Sequence, residues 1–273
     1  MNSLRAPILW RYLLFMHPAG IFAIWLYYGA IARAIIGRVF RTSATVSEHL
    51  HRPLHIRCDG VVFSIRPETD DLGMIALSVD PLPVTRSFRP KAGDVVVDVG
   101  ANVGGYALRA AVVADRVIAI EPEPSNFRQL VENVRLNHFE NVEPLQVAIS
   151  NHAGSSALHL ASDSGRHSLE VTAWGQPTGD NVSVQLLTLD EVITSKHIAH
   201  IDWLKVDVER HELAVLQGAS KALSITDHLI LEFELMNFPA VHSALRQHGL
   251  EILWHDTQAE VSVLVARSKQ VRP

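Results

Sequence analysis

Cysteine is nearly missing from this chain: Cys58 is the only one in 273 residues. No intramolecular disulfide can form, and no cysteine-based zinc cluster exists. An excess of positive charge is missing too. The formal net charge is -5, so no broad basic field is available to neutralise phosphates, which argues against a dedicated nucleic-acid binder. Fifteen histidines are present, yet none falls in an HExxH pattern. The nearest approach to ligand spacing is His49, His51 and His55, on a segment with no convincing helix. It reads as a polar surface run, and no metal site is expected. A hydrophobic share of 48% against 19% charged describes a folded chain, long enough for one large domain or two small ones.

Formal charge is also absent from Tyr12 to Ala32, "YLLFMHPAGIFAIWLYYGAIA". As a helix it would be roughly 30 Å long, about the thickness of a bilayer core. Arginines flank it on both sides, and Trp10, Tyr12, Tyr27 and Tyr28 suit an interface belt. His17 and Pro18 count against a straight span. Three readings of residues 1–41 stay open: a membrane anchor that spans or lies in the interface, a helix packed on protein, or a cleaved signal peptide ending at "AIA".

Residues 42–90 read as a lead-in packed on the main domain. "LHIRCDGVVFSIRP" alternates like a hairpin turning at Asp59-Gly60, and "RPETDDLGMIAL" reads as a capped helical turn. Residues 91–273 then alternate. "DVVVDVG" (94–100) is a valine-rich run suited to a buried parallel strand, and "GGYALRAAVVA" follows as a helix. "RVIAIEP" is a second strand, closed by Pro122, and "PSNFRQLVENVRLN" has helical periodicity. "NVEPLQVAIS", "HIDWLKVDV" and "DHLILEFEL" supply three more strands, with "ELAVLQGAS" a helix between the last two. "FPAVHSALRQHGL" is a helix before two final runs, "EILWHD" and "EVSVLVAR", expected to pair antiparallel. The pattern predicts an α/β fold with a mostly parallel, doubly wound sheet and ligands at the carboxyl ends of its strands. Residues 151–187 interrupt the alternation, either as a loop over the site edge or as a plain extra hairpin.

The first strand-to-helix turn reads Gly100, Ala101, Asn102, Val103, Gly104, Gly105. The second glycine of the dinucleotide pattern GxGxxG is missing, and an acid, Asp98, stands at the strand end. An acid suits a cationic amino group and would repel a pyrophosphate. Glycines let a ligand approach the backbone, while helix amides favour an anionic group. S-adenosylmethionine carries an ammonium, a sulfonium and a carboxylate, which matches both. Glu121, ending the second strand, is placed to accept from two ribose hydroxyls.

These residues together resemble the FkbM family of S-adenosylmethionine-dependent methyltransferases, from about Arg66 to Gly249. "VVDVGANVGGY", "IEPEPSNFRQLVENVRLN", "LLTLDEVI" and "LKVDVERHELAVLQGA" carry the resemblance. It implies a Rossmann-like class I methyltransferase fold, with cofactor contacts at Asp98, Gly100, Ala101, Asn102, Gly104, Glu121 and Pro122. It also implies adenine contact from Ala148 and Ile149, within "VAIS". The activity it implies is O-methylation of a small molecule, sugar or lipid-linked glycan, with the catalytic domain facing the cytoplasm, where S-adenosylmethionine is made. An anchor at residues 12–32 would tilt the acceptor toward the membrane. The Asp/Asn-Pro-Pro-aromatic motif of nucleic-acid nitrogen methylation is absent: "VDVER" stands in its place. Arg210 departs from the pattern, where the family carries glycine. This departure keeps open a second reading, a cofactor-binding, membrane-tethered regulatory or scaffold protein without catalysis.

On a strand, Lys205, Asp207 and Glu209 alternate onto one face. A lysine between two acids is costly to bury unless paired, which suggests a site. Asp207 is expected near the methyl-transfer centre, Glu209 as base or acceptor binder, and Lys205 beside them. His211 and Glu212 are further candidates for a general base near this strand end; the ordinary pKa of a histidine suits a base, though His211 reads more readily as a surface helix residue. Glu232 and Glu234 are expected either on acceptor hydroxyls or solvated at a strand end.

Overall fold

The computed structural model describes residues 17–18, 52–79, 83–170, 177–258 and 260–270. His17–Pro18 (β1) pairs antiparallel with Leu54–Cys58 (β2), which turns into Val61–Ile65 (β3). The turn is Asp59-Gly60, both with positive φ (47° and 82°), the geometry that matches the twist of a two-residue hairpin. At His17 and Pro18 the chain is therefore extended rather than helical. Proline, lacking an amide proton, is tolerated there because β1 is an edge strand. The rest of the 12–32 segment, and His49 and His51, lie outside the described residues. No helix among the described residues is long and apolar enough to cross a membrane.

Two short helices follow, Asp71–Ser78 (α1) and Pro83–Ser87 (α2). Val95–Val99 (β4), Gly105–Ala111 (α3), Arg116–Ile120 (β5), Pro124–Leu136 (α4) and Val142–Leu145 (β6) then alternate as expected. Pro124 opens α4 with its φ already helical, and the Glu123 side chain accepts from Asn126 N at 2.6 Å. "NVEPLQVAIS" is not one strand. It breaks after Leu145, and Ala148–Ile149 (β7) leaves the main sheet to pair in parallel with Pro177–Leu187 (β9). Gly154–Ala161 (β8) lies antiparallel to β9, so the interrupting segment is a hairpin.

Thr188 and Glu191 form a reciprocal capping box on Leu189–Ser195 (α5). Ile201–Val206 (β10), Glu212–Gln217 (α6), Ser220–Ser224 (α7), Thr226–Glu234 (β11), Phe238–Gln247 (α8), Leu250–Gln258 (β12) and Val261–Ser268 (β13) complete the fold. The seven-stranded sheet runs β12-β13-β11-β10-β4-β5-β6, and only β13 opposes its neighbours. The expected antiparallel pair is thus β12 and β13.

Two apolar layers cover the sheet. One contains Val97, Ile118, Leu204, Leu229 and the buried faces of α5 to α8. The other joins Val96, Val117 and α3 to the β2–β3 hairpin and α1. Side-chain amides of α4 stitch that hairpin on: Asn133 Oδ1 accepts from Ser64 N at 2.8 Å, and Asn137 Oδ1 from Val62 N at 2.7 Å. The order reverses between β4 and β10, and a sheet of this kind opens a crevice outside the carboxyl ends of those strands.

Candidate active site

A cleft opens at that reversal, enclosing about 630 Å³ of space that includes open solvent at its mouth. Of the seven turn and strand-end residues expected to bind cofactor, Gly100, Asn102, Glu121 and Pro122 line it, and Ala148 and Ile149 form part of an apolar wall with Val147 and Leu158. Asp98, Ala101 and Gly104 do not line it.

The glycine turn is closed on itself. Gly100 N and Ala101 N both donate to Ile120 O at 2.9 Å, and Gly104 N donates to Ala101 O at 2.8 Å. Asn102 N donates to Glu121 Oε2 at 2.8 Å, and Val103 N to Asn102 Oδ1 at 2.7 Å. Five successive amides are thus engaged within the protein, which corrects the expectation of open amides for an anion. The glycines answer to the chain's own packing as well. Gly100 has φ +81°, and a β-carbon there would sit 1.8 Å from the Asp207 carbonyl oxygen. What presses on this turn is the end of β10.

Asp98 is 0% exposed. It stands opposite Lys205 in the β4–β10 register, and Lys205 Nζ lies 3.3 Å from its Oδ1 and 3.4 Å from Asp207 Oδ2. The same ammonium donates to Gly100 O at 3.1 Å and lies over the Tyr106 ring. Burial lifts the Asp98 carboxyl above its usual range while Lys205 pulls the other way. Burial opposes the Lys205 charge also, but Asp98 and Asp207 hold that amine above its ordinary value. Asp98 is therefore the counter-charge of a buried lysine rather than a wall of the cleft. Lys205 in turn clamps β10 to the turn and does not face the cleft.

Glu121 does face it. Oε2 accepts from Asn102 N, and Oε1 from Glu123 N at 2.9 Å. One amide per oxygen leaves acceptor capacity on both. Burial pushes this carboxyl up to about 7, against the pull of the two amides.

The opposite wall is the turn after β10, where Asp207, Val208, Glu209 and His211 line the cleft. Glu209 and Arg210 are both left-handed, with φ +54° and +81°, so a family glycine at position 210 has a physical reason: only glycine takes that conformation without cost. Here Arg210 takes it, and its Nε lies 3.1 Å from Glu234 Oε1. Burial, then Asp207 and Glu212, push Glu209 up to about 8. Glu232 is raised as well, by burial and then by Asp207 and Glu209.

His211 is not a surface helix residue. It occupies the cap position of α6, with Nδ1 2.9 Å from Glu170 Oε1 and Nε2 3.0 Å from Ser150 Oγ. Both ring nitrogens are occupied, and the imidazole ties three segments together.

The β8–β9 connection covers the cleft as well as extending the hairpin, so both readings of residues 151–187 hold in part. Ser164, Gly165, His167 and Leu169 line the cleft. Ser164 O accepts from Asn126 Nδ2 at 2.7 Å and Asn102 Nδ2 at 3.3 Å, Ser164 donates to Asp70, and Ser168 Oγ donates to Glu209 O. Sequence reasoning missed Asn126, Ser164, His167, Glu170 and Ser150. Asn126, Ser164, Glu170 and Ser150 meet partners from distant parts of the chain, with no local spacing to signal them, while His167 Nδ1 accepts from Ala161 N at 3.1 Å within the same connection.

A reversed-order parallel sheet with one antiparallel strand near its edge, and a buried acid ending the second strand at an apolar cleft, define a Rossmann-like class I methyltransferase fold. The chain belongs to the FkbM methyltransferase family: residues 98–252 match the methyltransferase FkbM domain. It is 32% identical over 139 residues to the hexuronic acid methyltransferase AglP of Haloferax volcanii, covering 51% of this chain and 55% of that protein. It is 30% identical over 161 residues to the 31-O-demethyl-FK506 methyltransferase FkbM of Streptomyces tacrolimicus, covering 48% and 62%. The chain thus spans somewhat more than half the length of these relatives. A crystal structure of methyltransferase FkbM from Methylobacillus flagellatus superposes with a TM-score of 0.48 at 14% identity, covering 96% of this chain and 58% of that one.

Proposed function

We propose that the protein is an S-adenosylmethionine-dependent methyltransferase that methylates a hydroxyl of a small molecule, sugar or lipid-linked glycan. The observation that carries this reading is Glu121: a nearly buried carboxylate at the end of β5, facing the cleft, with spare acceptor capacity on both oxygens. That is the arrangement a ribose diol requires. The apolar wall of Val147, Ala148, Ile149 and Leu158 suits adenine, and Asp207 supplies negative charge for the cationic end of the cofactor. The names of two relatives, acting on a hexuronic acid and on demethylated FK506, support an oxygen acceptor.

S-adenosylmethionine, when bound, supplies the activated methyl group. The chain's own part is to hold, orient and take up a proton. Glu121 would grip the ribose, Asp207 would stand at the transfer centre, and the 164–169 stretch would exclude water. Glu209 would hold the acceptor hydroxyl or take its proton. Burial raises this carboxyl, which makes its ionised form a stronger base than an ordinary glutamate.

Incubating the protein with methyl-labelled S-adenosylmethionine and a cell extract should place label in base-stable methyl ethers of the metabolite and glycan fractions. Glu121→Ala should abolish that label. Label confined to nucleic acid, or released by mild base as an ester, contradicts hydroxyl methylation.

A further inference from the structure

Two consecutive non-glycine residues with left-handed backbone, Glu209 and Arg210, do not hold that shape unaided. The structure shows what holds it. Glu212 Oε1 accepts from Arg210 N at 3.1 Å and from Val208 N at 3.3 Å, on either side of Glu209. From the other side, Ser168 Oγ donates to Glu209 O. Glu212 is 2% exposed, and its second oxygen, Oε2, is buried with no hydrogen-bond partner. A buried carboxylate with one oxygen unused is costly, and a plain capping role does not require it.

We propose that Glu212 is a positioning residue for methyl transfer: it holds the 208–211 turn in the shape that presents Glu209 to the cleft. This rests on the reading of the cleft given above. Because Glu212 approaches Glu209 as a like charge, it acts on the acid it positions. Burial pushes Glu212 itself up to about 7, so near neutral pH its charge is set by the same conditions that set Glu209's. The charged groups around Glu209 are Lys205 from β10, Asp207 from the turn after it, Arg166 from the β8–β9 connection, Glu212 from α6, and Glu232 from β11. Glu212 alone among them also bonds the backbone that carries Glu209.

The test uses the full chain with carboxyl-labelled glutamate, followed by NMR across pH, the Glu209 signal being assigned by its loss in Glu209→Gln. Glu212→Gln keeps an oxygen for the two amides and removes the charge; Glu212→Ala removes both. The Glu209 midpoint should fall by about one pH unit in Glu212→Gln, the scale of one close like charge removed. Affinity for S-adenosylhomocysteine, measured on the same samples, should stay within about threefold of wild type in Glu212→Gln and fall about tenfold or more in Glu212→Ala, the cost of one lost hydrogen-bonding group. A Glu209 midpoint unmoved in Glu212→Gln, or equal losses of affinity in both variants, overturns the proposal. A folded wild type that binds no nucleoside yet shows the midpoint shift leaves the hold of Glu212 on Glu209 standing and removes the methyltransferase reading instead.

Discussion

Replacing Gly100 by alanine is expected to unfold the domain or to cost more than about 4 kcal/mol, a loss reserved for a few mechanisms such as forbidden backbone geometry. Two of them act together here. The residue sits at φ +81°, and its β-carbon would stand 1.8 Å from the backbone oxygen of Asp207. A flexible side chain could move aside, but a carbonyl at the end of a central strand cannot move without dragging β10. Asp207 N is itself bonded to Val99 O at 3.0 Å, so β10 and β4 shift together or not at all. Gly179 makes a matched control: it too has positive φ, at +85°, with nothing within 4 Å of the added carbon. Urea unfolding should show a small loss for Gly179→Ala and a large one for Gly100→Ala. Equal losses would mean that the close approach of β10 is not what demands the glycine.

Lys205→Met should be nearly as damaging, about 3–5 kcal/mol, because it strands the Asp98 carboxylate in the core without its partner. Adding Asp98→Leu to Lys205→Met should recover much of the loss, since an apolar pair of similar volume often replaces a buried ion pair at little cost. Chemical denaturation of the two variants decides the matter. If the double variant is no more stable than Lys205→Met alone, the pair is not the source of the effect, and the bonds from Lys205 to Gly100 and Asp207 carry it instead.

The alternation of apolar runs and amphipathic helices was enough to lay out the sheet, because buried parallel strands and surface helices have different periods. Asp59-Gly60 announced its hairpin for an equally local reason. Glu121 was legible from its place at a strand end. Contacts made across the fold were not. Asp98 looked like a ligand because its partner, Lys205, lies 107 residues away and becomes its neighbour only in the β4–β10 register. The glycines looked like room for a ligand because nothing local shows that β10 ends against them. The departure of β7 from the main sheet depends on pairing with β9, whose register no local pattern announces. His211 looked like a helix surface residue because Ser150 and Glu170 reach it from two other segments.

The methyltransferase reading of this cleft depends on a nucleoside binding with its ribose on Glu121. Calorimetric titration of the full chain with S-adenosylmethionine, beside a Glu121→Ala variant of equal thermal stability, tests that most directly. The expected result is one site per chain in the wild type and an affinity loss of about 10- to 100-fold in the variant, the range for removing a charged hydrogen-bond acceptor. Absence of binding by the folded wild type, or binding indifferent to Glu121, would contradict the account.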